Sequence, residues 1–202
     1  MNDKEKLFSY YKYALQMLET EINILMDEFV LKHGYNPVEH IKSRIKSEDS
    51  IKKKLKSKGY SYTASNIKKN IHDVVGIRIV VSFLSDVYDI VSILRNSQDL
   101  IIVCQQDYIK EPKDTGYISY NINVLIPVYL DGKTKYIEGE IQVRTIAMDF
   151  WASLEHQMHY KQFENNDMPE IVGELTKCAE NIYNTDVRMQ ELREDIVYLT
   201  NL

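Results

Sequence analysis

The chain has 202 residues, and 44% of them are hydrophobic, which is enough for one domain with a buried core. Its formal net charge of −5 excludes a protein that binds nucleic acid through a uniformly basic surface, so contacts with phosphates must come from local clusters of cations. No apolar stretch is long enough to span a bilayer, and no signal-like run opens the chain. We therefore expect a cytoplasmic protein, in which Cys104 and Cys178 are reduced packing residues.

The first predicted element is an amphipathic helix from Asp3 to Lys32, which Gly34 and Pro37 end. Its apolar side chains recur at spacings of three and four, so one face must pack on the rest of the protein. These side chains are Leu7, Tyr11, Ala14, Leu18, Ile22, Leu25, Met26 and Phe29.

A segment rich in cations follows at residues 43–56, where a short extended piece leads into a helix. Three residues suit the N-cap of that helix: Ser47, Asp49 and Ser50. Arg44 and Lys46 lie on one side of the extended piece, and Lys54 lies one helical turn beyond Ser50. These cations either form a solvated face or converge on one anion near a helix N-terminus.

The middle of the chain predicts a strand, a helix and a strand, followed by a hairpin. The elements are a short helix or turn at 66–73, a buried strand at 74–83, a helix at 85–96 and a strand at 100–103. A polar loop at 107–116 then leads to a strand at 117–127, and a turn at 131–133 joins it to the next strand.

The strand at 136–145 alternates apolar and polar residues, so it presents one polar face. Glu138, Glu140, Gln142 and Arg144 make up that face. One explanation of this polar face is that it is exposed to solvent, as is common for an edge or antiparallel strand. An acid pair followed by an amide and a guanidinium also suits a metal ion with a phosphorylated ligand.

Helical periodicity resumes at Thr145, and Pro169 starts a last long helix. The predicted fold class is α+β, with a mixed sheet of about five strands flanked by long N- and C-terminal helices. We expect a single domain over 1–202, with an N-terminal helix at 1–36, a core at 41–161 and a C-terminal helical region at 169–202.

Several short motifs, taken in order, resemble those of (p)ppGpp synthetase domains. They are Ser43–Lys46 with Ser50 and Lys54, Asp73–Arg78, Lys113–Tyr117 and Glu140–Thr145, and the match extends through 147–156. The chain resembles the small alarmone synthetases, the single-domain branch of the Rel/SpoT proteins. Four motifs in the same order and spacing are far more specific than any one of them.

The resemblance implies transfer of the β,γ-pyrophosphate of ATP to the ribose 3′-hydroxyl of a guanine nucleotide: GMP, GDP or GTP. It also implies Mg²⁺ as cofactor, a fold related to the nucleotidyltransferases, and a homotetramer built through the terminal helices. The expected partners are therefore ATP, guanine nucleotides and further copies of the chain, without a membrane.

The resemblance further divides the site between donor and acceptor. On the donor side it implies Arg44 and Arg78 around the adenine, and Lys46, Ser50 and Lys54 on the ATP phosphates. It assigns Asp73 and Glu140 to the metal, and Glu140, Asp73 and Gln142 to catalysis, with Glu140 as the base. The residues expected to bind the acceptor nucleotide are Lys113, Tyr117, Asn121, Gln142 and Arg144.

Three acceptor-side residues depart from the family pattern. Ile118 and Asn121 stand where the family usually has arginine and histidine, and Gln106 stands where close relatives have arginine. The donor-side cations are all kept. We therefore expect this chain to differ from the family in how it recognises the acceptor's 5′-phosphates.

Two other functions remain open from the sequence. One is a toxin-like relative that pyrophosphorylates another acceptor, such as the 3′ end of tRNA, although the negative net charge does not indicate an RNA partner. The other is a non-catalytic module that binds nucleotide or RNA. Against it argues the joint retention of five residues: Asp73, Glu140, Gln142, Lys54 and Tyr117.

Overall fold

The structure is a computed structural model that describes residues 2–130, 132–162 and 169–200. Its helices are α1 (Asp3–His33), α2 (Glu48–Ser57), α3 (Ala64–Asn70), α4 (Leu84–Asn96), α5 (Ile146–Gln162) and α6 (Pro169–Thr200). Its strands are β1 (Val38–Ile45), β2 (Val75–Val81), β3 (Ile101–Asp107), β4 (Tyr120–Leu130) and β5 (Lys133–Thr145). The α+β class with long terminal helices is therefore confirmed.

The five strands form one mixed sheet in the order β1-β2-β5-β4-β3. Strands β2 and β5 are parallel, whereas the pairs β1/β2, β4/β5 and β3/β4 are antiparallel. The crossover through α4 carries the chain from β2 to the far edge of the sheet, and the β4–β5 hairpin then fills the gap. Strand β5 consequently lies at the centre, between β2 and β4.

The first helix begins and ends as its sequence predicts. Asn2 and Glu5 form a capping box, in which the Asn2 side chain accepts from the Glu5 N–H and the Glu5 carboxylate accepts from the Asn2 N–H. Gly34 ends the helix in a left-handed conformation with φ 76°, which glycine adopts without steric cost. The apolar face, including Leu18 and Ile22, is buried in the main core.

Two predictions about local structure were wrong. Strand β4 begins at Tyr120 rather than at Tyr117, because residues 113–117 close on themselves: the Gly116 N–H donates to the Lys113 carbonyl at 2.8 Å. Cys104 and Cys178 are both exposed, so neither is a packing residue. Among the described helices, none has the length and apolar character that crossing a membrane requires.

Candidate active site

Polar side chains on one face of the sheet follow two neighbouring rows of paired residues across the strands. One row runs from β1 to β3 through Lys42, Arg78, Gln142, Asn121 and Gln106. The other runs through Arg44, Gly76, Glu140, Asn123 and Cys104. The cations lie at the β1 and β2 end and the neutral amides at the β3 and β4 end, with Glu140 between them.

A cleft of about 270 Å³ opens over the β1, β2 and β5 part of these rows. Its lining residues are Lys42, Ser43, Arg44, Asp73, Gly76, Ile77, Arg78, Glu140 and Gln142. The structure thus brings together five residues that the sequence predicts for the site, namely both carboxylates, both donor-side arginines and Gln142. Lys42 and Ser43 are not among the predicted site residues, although Ser43 opens the first motif and Lys42 alternates in phase with Arg44 on β1.

Asp73 lies just before β2 and holds two predicted phosphate-binding lysines. Its carboxylate accepts from the Lys46 ammonium at 2.6 Å and from the Lys54 ammonium at 2.9 Å. Burial alone would raise the Asp73 pKa, but the two lysines outweigh it and lower the pKa from 3.8 to about 2. This pairing stabilises the fold above about pH 4, and the contribution is lost as the pH falls towards 2.

Ser50 lies in the first turn of α2, beside the helix N-terminus. The Ser47 side chain caps this helix by accepting from the Ser50 N–H at 3.3 Å, and the Ser47 hydroxyl donates to the Ser50 hydroxyl at 2.9 Å. The same helix carries Lys54 one turn later. Ser50 and Lys54 therefore share one face of α2, with Ser50 beside the N-terminal N–H groups and Lys54 in the last turn, an arrangement that suits phosphate.

Arg44 and Arg78 come from the adjacent strands β1 and β2. A Cβ added at Gly76 would lie 3.6 Å from Cγ of Arg44, so the Arg44 side chain lies across this glycine. The Arg78 guanidinium donates through Nη1 to Oδ1 of Asp149 at 2.7 Å. Burial and the nearby Arg144 cation lower the Arg78 pKa, and Asp149 opposes them.

Glu140 on β5 accepts hydrogen bonds from two side-chain amides. Gln142 Nε2 donates to Oε2 of Glu140 at 2.6 Å, and Asn121 Nδ2 donates to Oε1 at 3.4 Å. The carboxylate is thereby oriented from both sides while it still lines the cleft. Within the described part of the chain, no group of three or more His, Cys, Asp or Glu side chains could hold a metal ion.

The acceptor-side residues gather around the Tyr117 ring. The Lys113 ammonium lies 4.9 Å from the centre of this ring, and the Tyr117 hydroxyl donates to Oδ1 of Asn121 at 3.4 Å. The preceding Gly116 has φ 83°, and a Cβ there would lie 3.0 Å from Cβ of Ala179 on α6. Glycine is therefore required for residues 113–117, which we call the acceptor loop after their predicted role, to approach α6.

Arg144 is placed differently from its neighbours on the polar face of β5. It is only 2% exposed, and its Nη2 donates to the Tyr117 hydroxyl at 2.7 Å and to Oε1 of Gln142 at 3.0 Å. Its guanidinium also reaches Ser119 and Asp149. Arg144 thus lies beneath the acceptor residues and supports them.

Ile118 also lies away from the acceptor surface. It is 6% exposed and belongs to the hydrophobic core, where it lines a cavity of about 490 Å³ between the acceptor loop and α6. At its position in this chain a cation would be buried rather than presented to a ligand. Ile118 stands where the family usually has arginine, and no pattern in the sequence indicates that its side chain is buried.

The similarity to known proteins covers nearly the whole chain. The profile of the family described as "Region found in RelA / SpoT proteins" matches residues 43–165. The chain is 44% identical to GTP pyrophosphokinase YwaC of Bacillus subtilis over 197 residues, which cover 97% of this chain and 93% of that protein.

Two crystal structures extend the similarity to the fold. The small alarmone synthetase 2 of Bacillus subtilis has a TM-score of 0.82 and 42% identity, covering 95% of this chain and 98% of that one. The small alarmone synthetase 1 of Bacillus subtilis, bound to its product pppGpp, has a TM-score of 0.85 and 30% identity, covering 95% and 97%.

Proposed function

The chain belongs to the RelA/SpoT family, and from this we propose that it is a (p)ppGpp synthetase, an ATP:guanine-nucleotide 3′-pyrophosphotransferase. The observation that carries the proposal is the placement of Glu140 on the central strand. On one side of it lie Arg44, Arg78 and the lysines paired to Asp73, and on the other side lie Asn121 and Tyr117. A transfer enzyme needs this order of donor groups, reactive centre and acceptor groups.

Asp73 and Glu140 are the residues that we propose to hold Mg²⁺. Their carboxylates line the same cleft, and the low pKa of Asp73 keeps it ionised at neutral pH. Mg²⁺ is commonly bound through one or two carboxylates together with substrate phosphates, so two oxygen ligands suffice. When bound, the ion neutralises charge on the triphosphate of ATP.

The remaining groups orient the two substrates. We propose that Arg44 and Arg78 flank the adenine and that Lys46, Ser50 and Lys54 bind the phosphates of ATP. The lysines must then turn from Asp73 towards the triphosphate, which frees Asp73 for the metal. Strong electrostatic stabilisation of the transferred group is the main catalytic device in phosphoryl transfer.

The chemical step follows from this arrangement. The 3′-hydroxyl oxygen of the acceptor attacks the β-phosphorus of ATP, the bond from that phosphorus to the α,β-bridging oxygen breaks, and AMP leaves. Glu140 takes the hydroxyl proton. A carboxylate that also touches a cation is a weaker base, so its positioning of the hydroxyl contributes more than its basicity.

Lys54 can be tested against Lys56, which lies two residues later on α2. Consecutive helix residues are about 100° apart, so Lys56 points to roughly the opposite side of the helix, where it is exposed. Lys54→Ala should raise the KM for ATP about 10- to 100-fold, because a charge-assisted bond to phosphate is lost. Lys56→Ala should leave it unchanged. If both variants changed the KM for ATP equally in steady-state kinetics, the lysines of α2 would form only a solvated face.

Tyr117 is the residue that we propose to stack on the acceptor base. Losing such a stack costs about 1–3 kcal/mol, so Tyr117→Ala should raise the acceptor KM roughly 10- to 100-fold with little change for ATP. Tyr117→Phe keeps the ring and therefore the stack, so its effect on the acceptor KM should be smaller than that of Tyr117→Ala. If Tyr117→Ala raised the KM for ATP as much as the KM for the acceptor, Tyr117 would be a structural residue instead.

The acceptor's phosphates meet few cations in this chain. Gln106 and Asn121 are neighbours in one row, Ile118 is buried, and charged donors bind phosphate about twice as strongly as neutral ones. We propose that kcat/KM for GMP and GDP, relative to kcat/KM for GTP, is higher here than in relatives that keep these cations.

A transfer assay with γ-labelled ATP, Mg²⁺ and GMP, GDP, GTP, ATP or bulk tRNA as acceptor tests both the function and this preference. Label on tRNA alone would overturn the guanine-nucleotide assignment.

The terminal helices support the proposal of a homotetramer. The last turn of α6 exposes four apolar side chains, and α1 exposes a further stripe. These residues are Ile196, Val197, Tyr198 and Leu199 on α6 and Tyr13, Met17, Ile24 and Leu31 on α1. Apolar surface of this extent is usually covered by a partner. A monomeric mass in light scattering would contradict the tetramer.

We also propose that 1–202 acts as one synthetase domain in the cytoplasm, with the core at 41–161. Contacts between the core and α6 support the single unit: the Trp151 indole donates to the Leu175 carbonyl at 3.0 Å, and the Thr145 hydroxyl donates to Asp186 at 2.5 Å. Limited proteolysis that released a stable core lacking α6 would contradict it.

A further inference from the structure

Five polar side chains at the edge of the cleft, two of which line it, form a closed ring of hydrogen bonds. Starting from Arg144, one arm passes through Gln142 to Glu140, with donor–acceptor distances of 3.0 and 2.6 Å. The other arm passes through Tyr117 and Asn121 to Glu140, with distances of 2.7, 3.4 and 3.4 Å. The ring therefore joins the tyrosine proposed for the acceptor base to the carboxylate proposed for the chemical step.

The direction of every bond in the ring is set by Arg144. A guanidinium can only donate, so the Gln142 carbonyl and the Tyr117 oxygen must accept from it. The Gln142 amide nitrogen then faces Glu140. In the other arm the Tyr117 hydroxyl donates to the Asn121 carbonyl, which turns the Asn121 amide nitrogen to Glu140 as well. One cation consequently orients both donors that hold the carboxylate.

Asp149 holds this cation from outside the ring. It lies in the first turn of α5, is 7% exposed, and its Oδ1 accepts from Arg144 Nη1 at 3.4 Å and from Arg78 Nη1 at 2.7 Å. Burial lowers the Arg78 pKa, repulsion from the Arg144 guanidinium lowers it further, and Asp149 counteracts both. A single buried carboxylate thus connects an arginine of the donor side to the ring of the acceptor side.

We propose that Asp149 and Arg144 are positioning residues. They hold Arg78, Tyr117 and Glu140 in the relative positions that transfer requires. The inference rests on the proposed function and extends it to two residues that do not line the cleft. A buried carboxylate is costly unless it is paired and hydrogen-bonded. Besides His40 Nε2, which lies 3.9 Å from its Oδ2, Asp149 pairs with two arginines, and both arginines lead to proposed substrate contacts. Removing its charge should therefore disturb both substrates at once.

The test is Asp149→Asn, which keeps the shape and removes the charge. It should lower kcat/KM about 10- to 100-fold for ATP, through Arg78, and by a similar factor for the acceptor, through Arg144. It should also lower kcat, since Glu140 loses its orientation. A value within threefold of the unmodified protein for both substrates would overturn the proposal.

Asp186→Asn is the matched control for burial. Asp186 is 8% exposed and also lies beside the end of β5, but it accepts from the Thr145 hydroxyl at 2.5 Å, whereas Asp149 accepts from two arginines. Its replacement should leave the kinetic constants near those of the unmodified protein, whatever it does to the melting temperature. If both variants lost activity in proportion to their loss of stability, Asp149 would be merely structural and the proposal would fail.

A double-mutant cycle separates positioning from packing. Tyr117→Phe removes the hydroxyl from the ring and keeps the aromatic face. Because Asp149 and Tyr117 share Arg144, the loss caused by Asp149→Asn in acceptor kcat/KM should be at least about twofold smaller in the Tyr117→Phe background. Losses that simply multiply would contradict coupling through Arg144.

A binding measurement keeps this inference apart from the proposed function. Titration of a non-hydrolysable ATP analogue with Mg²⁺ in a calorimeter needs no acceptor and no turnover. Asp149→Asn should weaken the analogue about tenfold or more through Arg78. Unchanged affinity would overturn the positioning role, whereas absence of transfer by the unmodified protein would overturn the proposed function alone.

Discussion

Glu140→Gln should lower kcat for pyrophosphate transfer by about a hundred- to ten-thousand-fold, the range expected when a general base is removed. The substitution keeps the volume of the side chain, so the strand pairing around it should persist. It removes the group that takes the proton, and it places an amide where Gln142 and Asn121 both present N–H donors. One of those donors then faces another donor, so the acceptor hydroxyl also loses its orientation.

Glu138→Gln is the control for Glu140→Gln. Glu138 lies two residues earlier on β5 and so on the same face of the strand, but it pairs with His72 and is absent from the lining of the cleft. Its substitution should leave kcat unchanged. Glu140→Gln turnover within tenfold of the unmodified protein, with circular dichroism unaltered in both variants, would remove Glu140 from the chemical step.

Asp73→Asn should lower kcat at least about a hundredfold and raise the Mg²⁺ concentration needed for half-maximal rate. A carboxylate that holds a catalytic cation contributes several kcal/mol to stabilising the transition state. The variant also leaves the Lys46 and Lys54 ammonium groups without their shared counter-ion, although ATP phosphates can replace it. The effect on the KM for ATP should therefore be smaller than the effect on kcat.

The same substitution at Asp49 provides the comparison. The Asp49 side chain is 83% exposed at the start of α2, where it pairs only loosely with Lys52 at 3.5 Å. Asp49→Asn should leave both kcat and the Mg²⁺ dependence unchanged. If the Asp73→Asn variant kept both the kcat and the Mg²⁺ dependence of the unmodified protein, the metal assignment would be wrong. Asp73 would then serve only as the counter-ion of the two lysines.

The elements of the fold were predictable because they rest on local patterns. The period of α1, its Gly34 end and the alternation along β5 each depend on residues close in sequence, and the structure confirms them. The convergence of Arg44, Asp73 and Glu140 was predictable only through the ordered motifs. Neither periodicity nor charge could show that β2 pairs with β5, since paired positions are 64 residues apart in the chain, as for Val75 and Gly139.

Burial at the site was not predictable, because it depends on contacts with α5 and α6. The polar alternation of β5 suggested that Arg144 faces the ligand together with Glu140. Its bonds to Asp149 and Ser119 instead hold Arg144 beneath the residues predicted to bind the acceptor. Ile118 is covered because Gly116 lets the acceptor loop approach Ala179. The role proposed for Asp149 has no signal in a periodic pattern, since a polar residue in the first helical turn usually has a capping or solvated role.

Transfer of the β-phosphate tests the central claim most directly. The protein is incubated with Mg²⁺, GDP and ATP labelled on its β-phosphate, and the products are separated by chromatography. Attack on the β-phosphorus predicts that the label enters the guanine product and that one AMP forms for each molecule labelled. Release of labelled ADP, with transfer only from γ-labelled ATP, would identify an ordinary phosphotransferase and contradict the account.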